Sequence, residues 1–349
     1  MKNLIPAIKV LGQLVKYKLT GKKIPLILNI LVTNKCNFDC VYCYVDHNSR
    51  KMADLTFGQI CKIIDEFYEL GTRSIWIQGG EPLLRNDIGE IIDYIKSKGI
   101  FCEIVTNGWL AEQKMDVLSK VDKICFSIDG NEKTHDKIRK KGSHKRIIAA
   151  LKKAKKLGLN FRLHSVLNVH NMNKKNVDYL CNLAKRMGTN VSFTYAIIPI
   201  QKQKAKKDRK DFYFERKEFQ DIIRYILECK KKGRPIHHTT ELLKRVLSWN
   251  LPYHEIGFKH NVPKGSPQCL YGRLVCFLDA NGMLYPCSKY FEAEGKGMSV
   301  IKHGAKKAWK HVSDLDCVAC GKLSELNAIL SINPVNLFRV FKHYLSKEK

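Results

Sequence analysis

Three cysteines within one short run constrain this chain more than any other feature. Cys36, Cys40 and Cys43 lie in Cys-Asn-Phe-Asp-Cys-Val-Tyr-Cys, a C-x3-C-x2-C spacing. An ordinary [4Fe-4S] cluster takes four thiolates, one per iron. Three close-set thiolates hold three irons and leave the fourth open to a ligand that is not protein. Zinc is the competing reading. It usually asks for a fourth ligand and for CxxC pairs, and His47 could supply the fourth place.

Around this run the chain alternates short apolar segments with amphipathic ones. Apolar runs at Ile24–Thr33, Ser74–Gln78, Phe101–Thr106, Lys123–Ile128, Phe161–Leu167 and Val191–Ala196 read as six strands. Phe57–Leu70, Asp87–Lys98, Ala111–Ser119, Lys145–Leu157 and Asn173–Met187 read as helices between them. Crossovers of this length predict parallel strands. The fold expected is α/β, a partial (β/α)6 TIM-like barrel over residues 26–200, with its site at the strands' C-terminal ends. Residues 201–211 form a basic polar run and a natural boundary, a solvated loop or a lid. Two helices, Arg216–Lys231 and Thr240–Trp249, and a Gly/Pro-containing linker at 252–268 complete a connecting region taken as 201–262.

The cysteine run follows the first strand, and other short motifs sit at the ends of later ones. Strand two is followed by Gly79-Gly80-Glu81-Pro82, strand three ends in Thr106-Asn107-Gly108, and strand four ends in Ser127-Ile128-Asp129-Gly130, with His135, Asp136 and Arg139 beyond. Strand five runs into Val166-Leu167-Asn168. With Tyr42 before the last cysteine, this set resembles the radical S-adenosylmethionine (SAM) enzymes. The resemblance implies that the methionyl amine and carboxylate of SAM chelate the open iron. One electron then cleaves the C5′–S bond, and the resulting 5′-deoxyadenosyl radical takes a hydrogen from substrate or adds to it. It further implies that Gly79, Gly80 and Glu81 hold the methionyl amine and that Thr106 and Asn107 lie beside the cofactor, although Asn-Gly alone also reads as a turn. Ser127 is expected at the ribose and carboxylate region, Arg139 on the carboxylate, and Leu167 in the stretch at adenine. Asp129 is read as ordering its loop, and His135 as capping or packing.

A second cysteine group lies at Cys269, Cys276, Cys287, Cys317 and Cys320. Residues 275–287 read as a hairpin turning at Asn281-Gly282, which brings Cys269 and Cys287 together. Cys317-x2-Cys320 adds two thiolates from a tight turn, with Cys276 an alternative ligand or a spectator. The C-x12-G-x4-C spacing resembles the SPASM and twitch extensions of radical SAM enzymes, the shorter twitch form with one auxiliary [4Fe-4S] cluster over residues 263–325. Four thiolates also suit zinc. Relatives that oxidise sulfatase residues carry an aspartate base directly after the G-x4-C cysteine; Ser288 stands there in this chain, and no general base or radical donor emerges from the sequence.

The 349 residues carry thirteen cysteines and a net charge of +29. An odd cysteine count without an evident signal peptide argues for a reducing cytosol and metal ligation over a disulfide framework. The charge is mostly lysine, which solvates surfaces and does not by itself mark a nucleic-acid face; nucleic acid is disfavoured but not dismissed. Residues 1–25 and 326–349 read as basic amphipathic helices, which would lie on an anionic inner membrane face or dock on the protein itself. The expected cofactors are two [4Fe-4S] clusters and SAM, with a cytosolic electron donor of flavodoxin or ferredoxin type. Lipid or lipid-linked substrates are the first reading for the basic ends, with a peptide or protein and a nucleic acid as alternatives, and a non-catalytic metal-binding module as the reading from another class.

Overall fold

The computed structural model describes residues 4–45, 47, 50–196, 214–249, 251, 253, 256–258, 269–314 and 317–320. Helix α1 (Leu4–Thr20) leads into β1 (Ile27–Leu31), α2 (Phe57–Leu70), β2 (Ser74–Gln78), α3 (Ile88–Ser97), β3 (Phe101–Thr106), α4 (Met115–Leu118) and β4 (Lys123–Ser127). The chain continues through α5 (Glu132–Ile138), α6 (Ser143–Lys156), β5 (Phe161–Leu167), α7 (Lys174–Met187), β6 (Val191–Tyr195), α8 (Arg216–Lys231) and α9 (Thr240–Ser248). Then come β7 (Ile256–Phe258), β8 (Val275–Leu278), β9 (Met283–Tyr285), β10 (Met298–Ser299), α10 (Val300–Ser313) and β11 (Cys317–Cys320).

Local chemistry accounts for the elements. Thr56 and Gln59 form a reciprocal capping box that starts α2, and Gly71 in the left-handed region ends it. Ile60, Ile63, Ile64 and Phe67 recur at helical spacing and are buried. All five residues of β1 are buried, as a parallel strand covered on both faces requires. The six strands β1 to β6 pair in parallel, in chain order. This is the expected partial barrel.

Two expectations need correction, and the open choice for α1 is answered in part. The helix placed at Ala111–Ser119 shrinks to Met115–Leu118, because Gly108 at φ +80° and the turn bonds of Ala111 to Gly108 and Lys114 to Leu110 occupy its first half. The two helices assigned to a linker belong to the barrel. Phe219, Ile222, Ile223 and Ile226 of α8 join the main core, with Leu242, Leu243 and Val246 of α9. The stripe of α1 that suggested a membrane surface is partly used within the protein: Val10 and Leu14 pack fully buried against Leu26, Phe101 and Leu274, while Ile8, Val15 and Leu19 stay exposed. Among the described residues no helix is long and apolar enough to cross a membrane. The basic run at 201–211 and the tail at 326–349 lie outside the described residues.

The C-terminal hairpin is part of the same sheet. Strand β8 pairs in parallel with β1, Ile27 against Val275, and β9 and β10 follow antiparallel. Gly282, at φ +83°, makes the expected turn. Arg50, beyond the cysteine run, donates from Nη1 to Asp279 of the hairpin at 3.0 Å, and Asp279 is fully buried. Removing one partner of a buried pair leaves an uncompensated charge. Asp279→Ala is therefore expected to cost about 3–5 kcal/mol in chemical denaturation, and Arg50→Met combined with Asp279→Leu to recover most of it.

Candidate active site

A cavity of about 340 Å³ opens at the C-terminal ends of the barrel strands. Cys36, Cys40 and Cys43 all border it, together with Tyr42, Gly79, Gly80, Glu81, Thr106, Asn107, Ser127 and Arg139. The structure thus gathers the dispersed sequence motifs around one space. Burial pushes the Cys36 thiol up to about 11 and the Cys40 thiol up to about 12. The Phe38 amide, donating to Cys36 Sγ at 3.5 Å, and the Arg139 guanidinium beside Cys40 work in the other direction. Among the described residues no three His, Cys, Asp or Glu side chains gather as a single metal ion would need.

The two glycines of the second motif serve an approach that the sequence did not reveal. A Cβ on Gly80 would lie 2.1 Å from the Lys35 carbonyl oxygen and 2.9 Å from Cys36 Cβ. One on Gly79 would lie 2.7 Å from the Thr33 carbonyl oxygen. The Gly80 and Glu81 amides donate to the Thr33 and Lys35 carbonyls, each at 2.9 Å. The glycines therefore admit the entry to the cysteine loop, and both also border the cavity. Asp54 clamps that entry from the other side, accepting from the Asn34 amide at 2.7 Å.

Glu81 is fully buried and its carboxylate already takes three hydrogen bonds, from the Asn107 amide at 2.7 Å, Thr106 Oγ1 at 2.8 Å and the Leu83 amide at 3.1 Å. Its first task is to join the ends of β2 and β3; about one of a carboxylate's four acceptor sites is left for an ammonium. Burial pushes its carboxyl up to about 7 against those bonds. Asp129 is a second hub. It accepts from Tyr42 Oη at 2.8 Å, Arg139 Nε at 2.6 Å and the Val166 amide at 2.9 Å. Arg139, expected on the cofactor carboxylate, already gives Nε to Asp129 and Nη2 to Tyr42. His135 accepts from the Asp129 amide at 3.1 Å, the packing role read for it.

Leu167 is a correction. It points into the core, and its neighbour Val166 lines the cavity, because side chains alternate along a strand. Cys276, read as an alternative ligand or a spectator, lies fully buried in the core, with burial as the cause of its raised thiol, which agrees with the spectator reading. Cys269 instead hydrogen-bonds Cys320 and feels the charges of Cys320 and Cys287. The CxxC pair is not in a tight turn but on β11, antiparallel to β7, with an irregularity between Cys317 and Ala319. The Cys317 side chain is outside the described residues. The second group adjoins the cavity: Ser288 and Tyr271 line it, and Tyr44, also lining it, feels the charges of both Cys43 and Cys287. Sequence reasoning missed Asp54, the Arg50–Asp279 pair and the polar strand residues Arg162, His164, Ser192 and Thr194. For the last four, alternation along β5 and β6 was an available signal.

A partial barrel of parallel strands carries three thiols at the border of its cavity, a donor set that would suit an iron–sulfur cluster open to a ligand. Residues 30–187 match the Radical SAM superfamily. The AdoMet-dependent heme synthase of Methanosarcina barkeri is 25% identical over 272 residues, 73% of this chain and 74% of that protein. The mycofactocin maturase of Mycolicibacterium smegmatis is 26% identical over 315 residues, 83% of this chain and 71% of that protein. A probable GTP 3′,8-cyclase of Methanocaldococcus jannaschii is 38% identical over 135 residues, but these cover only 36% of this chain and 44% of that protein. In fold, SuiB of Streptococcus suis matches with a TM-score of 0.65 at 16% identity, covering 84% of this chain and 68% of that one. The chain carries a radical SAM domain over residues 30–187. It is an enzyme of that family, for which a [4Fe-4S] cluster and SAM are the expected cofactors.

Two outcomes are expected. Gly80→Ala should abolish iron loading at the first site, read as iron per chain in protein lacking the C-terminal cysteines. Glu81 has its carboxyl raised, so its contribution to folding is present below the unfolded value and is lost as pH rises through about 7. An amine N–H donated to the carboxylate reverses that preference. SAM affinity measured by calorimetry should therefore rise from about pH 6 to about pH 8, and Glu81→Gln should flatten the rise.

Proposed function

We propose that this radical SAM enzyme modifies a peptide or protein side chain, with an auxiliary iron–sulfur centre held by Cys269, Cys287, Cys317 and Cys320. The observation that carries the reading is the cavity whose lining passes from Cys36, Cys40 and Cys43 to residues flanking the second cysteine group. The mycofactocin maturase, whose similarity spans most of the chain, supports a maturase over a metal-binding module. The lipid reading is set aside, since part of the α1 stripe that motivated it is buried in the protein.

The donor set fits the group: three thiols at the cavity's mouth, and no room for a Cβ beside Cys36. When bound, the cluster and SAM supply the 5′-deoxyadenosyl radical. The chain's own residues do the rest. Cys36, Cys40 and Cys43 would hold the cluster. Glu81 fixes the loop bearing Asn107, and Ser127 and Arg139 present polar groups to the cofactor's space. Apolar walls at Leu31, Phe277 and Val166 exclude water from the radical. An acidic one-electron donor protein of flavodoxin or ferredoxin type supplies the electron, with the excess of lysine aiding encounter.

The test is anaerobic reconstitution with SAM and dithionite, counting iron and assaying 5′-deoxyadenosine. About eight irons per chain with 5′-deoxyadenosine formed, the product lost in Cys40→Ala, is the expected result. About four irons with activity would remove the auxiliary centre from the proposal. No iron and no product would leave only a binding module. The peptide reading is tested by mass shift of candidate precursor peptides in deuterated medium, and a tetrapyrrole turned over in their place would overturn it.

A further inference from the structure

The floor of the cavity holds a hydrogen-bonded chain that the cofactor does not account for. Arg162 Nη1 donates to Ser192 Oγ at 2.6 Å. Ser192 Oγ has one proton, for which the Leu163 carbonyl at 3.2 Å is an acceptor. His164 Nδ1 lies 2.9 Å from the same Oγ. Giving its proton to that carbonyl leaves Ser192 to accept from His164, and on that ground we assign the ring's hydrogen to Nδ1. His164 Nε2 is therefore left with a lone pair. The Thr194 hydroxyl lies 3.2 Å from it and can donate to it.

Arg162 is itself fixed, donating from Nη2 to the fully buried Glu103 at 2.7 Å. The ring stays neutral: burial first, then Arg162, His238, Arg139 and His237, hold it well below the ordinary imidazole value. Its place is beside the chemistry. His164 is the register partner of Ser127, one strand spacing away, about 4.8 Å. Trp76 lines the same cavity and has a buried indole N–H without a partner. The cavity thus offers an unpartnered donor at Trp76 and, at His164 Nε2, an acceptor nitrogen.

We propose that His164 Nε2 is the proton acceptor for the substrate, and that the group beside the activated C–H is therefore an O–H or N–H donor. The inference rests on the radical SAM reading of the site. Loss of the hydrogen atom to the 5′-deoxyadenosyl radical leaves a carbon radical next to X–H. The X–H proton passes to Nε2, directly or through the Thr194 hydroxyl, giving imidazolium. The remaining electron leaves to a one-electron acceptor, an oxidised iron–sulfur centre, and C–XH becomes C=X. His164 would take the place that Ser288 leaves without a base.

The test is NMR of isotope-labelled histidine in the reconstituted, unreduced protein, with His164 assigned by its loss in His164→Gln. Near neutral pH the ring is expected neutral and protonated on Nδ1. Ser192→Ala should relax it to a mixture of tautomers. Isopropanol, the smallest alcohol with a C–H beside its O–H, should move the Nε2 signal, and acetone, which lacks the donor, should not; exposed His303 serves as the control. An imidazolium, a ring protonated on Nε2, or equal responses to the two probes, no response included, would overturn the proposal. A histidine that only bridges Ser192 and Thr194 would not tell the probes apart. Failure of the radical SAM reading is separate: no iron and no 5′-deoxyadenosine, whatever the tautomer.

Discussion

The site depends on how closely two backbones approach. The chain leaving β2 runs against the chain leaving β1 with no space for a side chain at Gly79 or Gly80. Two amide-to-carbonyl bonds extend the strand pairing past the sheet's edge. The cysteine loop is thereby anchored at its root to the neighbouring strand, and Glu81, next in line, reaches on to the end of β3. Three strand ends are joined before any cofactor arrives. That is preorganisation in a literal sense: the reacting groups are held by bonds already made.

On the far side Asp129 does similar work with charge. It is fully buried, and its negative charge is met by Arg139, Tyr42 and the Val166 amide, so the loop after β4 is bound to the cysteine run and to β5. A buried carboxylate with this many partners is well satisfied; without them it would be costly. The polar interior is thus a set of completed contacts, with a few groups turned toward the cavity.

Much of this was legible in the sequence. The six-strand alternation was plain because parallel strands covered on both faces read as continuous apolar runs, as Ile27–Leu31 does. The three cysteines were plain because cluster ligation fixes residue type and spacing together. The role of Gly80 was legible only in part: a glycine announces close approach, but not whether the approaching atoms belong to a ligand or to Lys35. Leu167 was misread because a motif of adjacent letters was carried over whole, while a strand shows alternate residues to its two faces. The Arg162–Ser192–His164 chain was overlooked because its members come from two strands, and only their register brings them together. The CxxC pair was read as a turn because nothing in the letters shows that residues 256–258 lie alongside it.

The pairing of β8 with β1 has a consequence for how the protein comes into being. Synthesis proceeds from the N-terminus, yet Ile27 waits for Val275 before its second edge is covered. Until then β1, apolar on both faces, presents an open row of amides and carbonyls, the kind of edge that joins other chains. Contacts this distant in sequence form late and slowly. The nascent half-barrel is therefore a risk until the last third of the chain has emerged, and its three thiols stand at the end of that same unfinished strand. Folding and metal loading share a bottleneck, and it lies at the hairpin that closes the sheet.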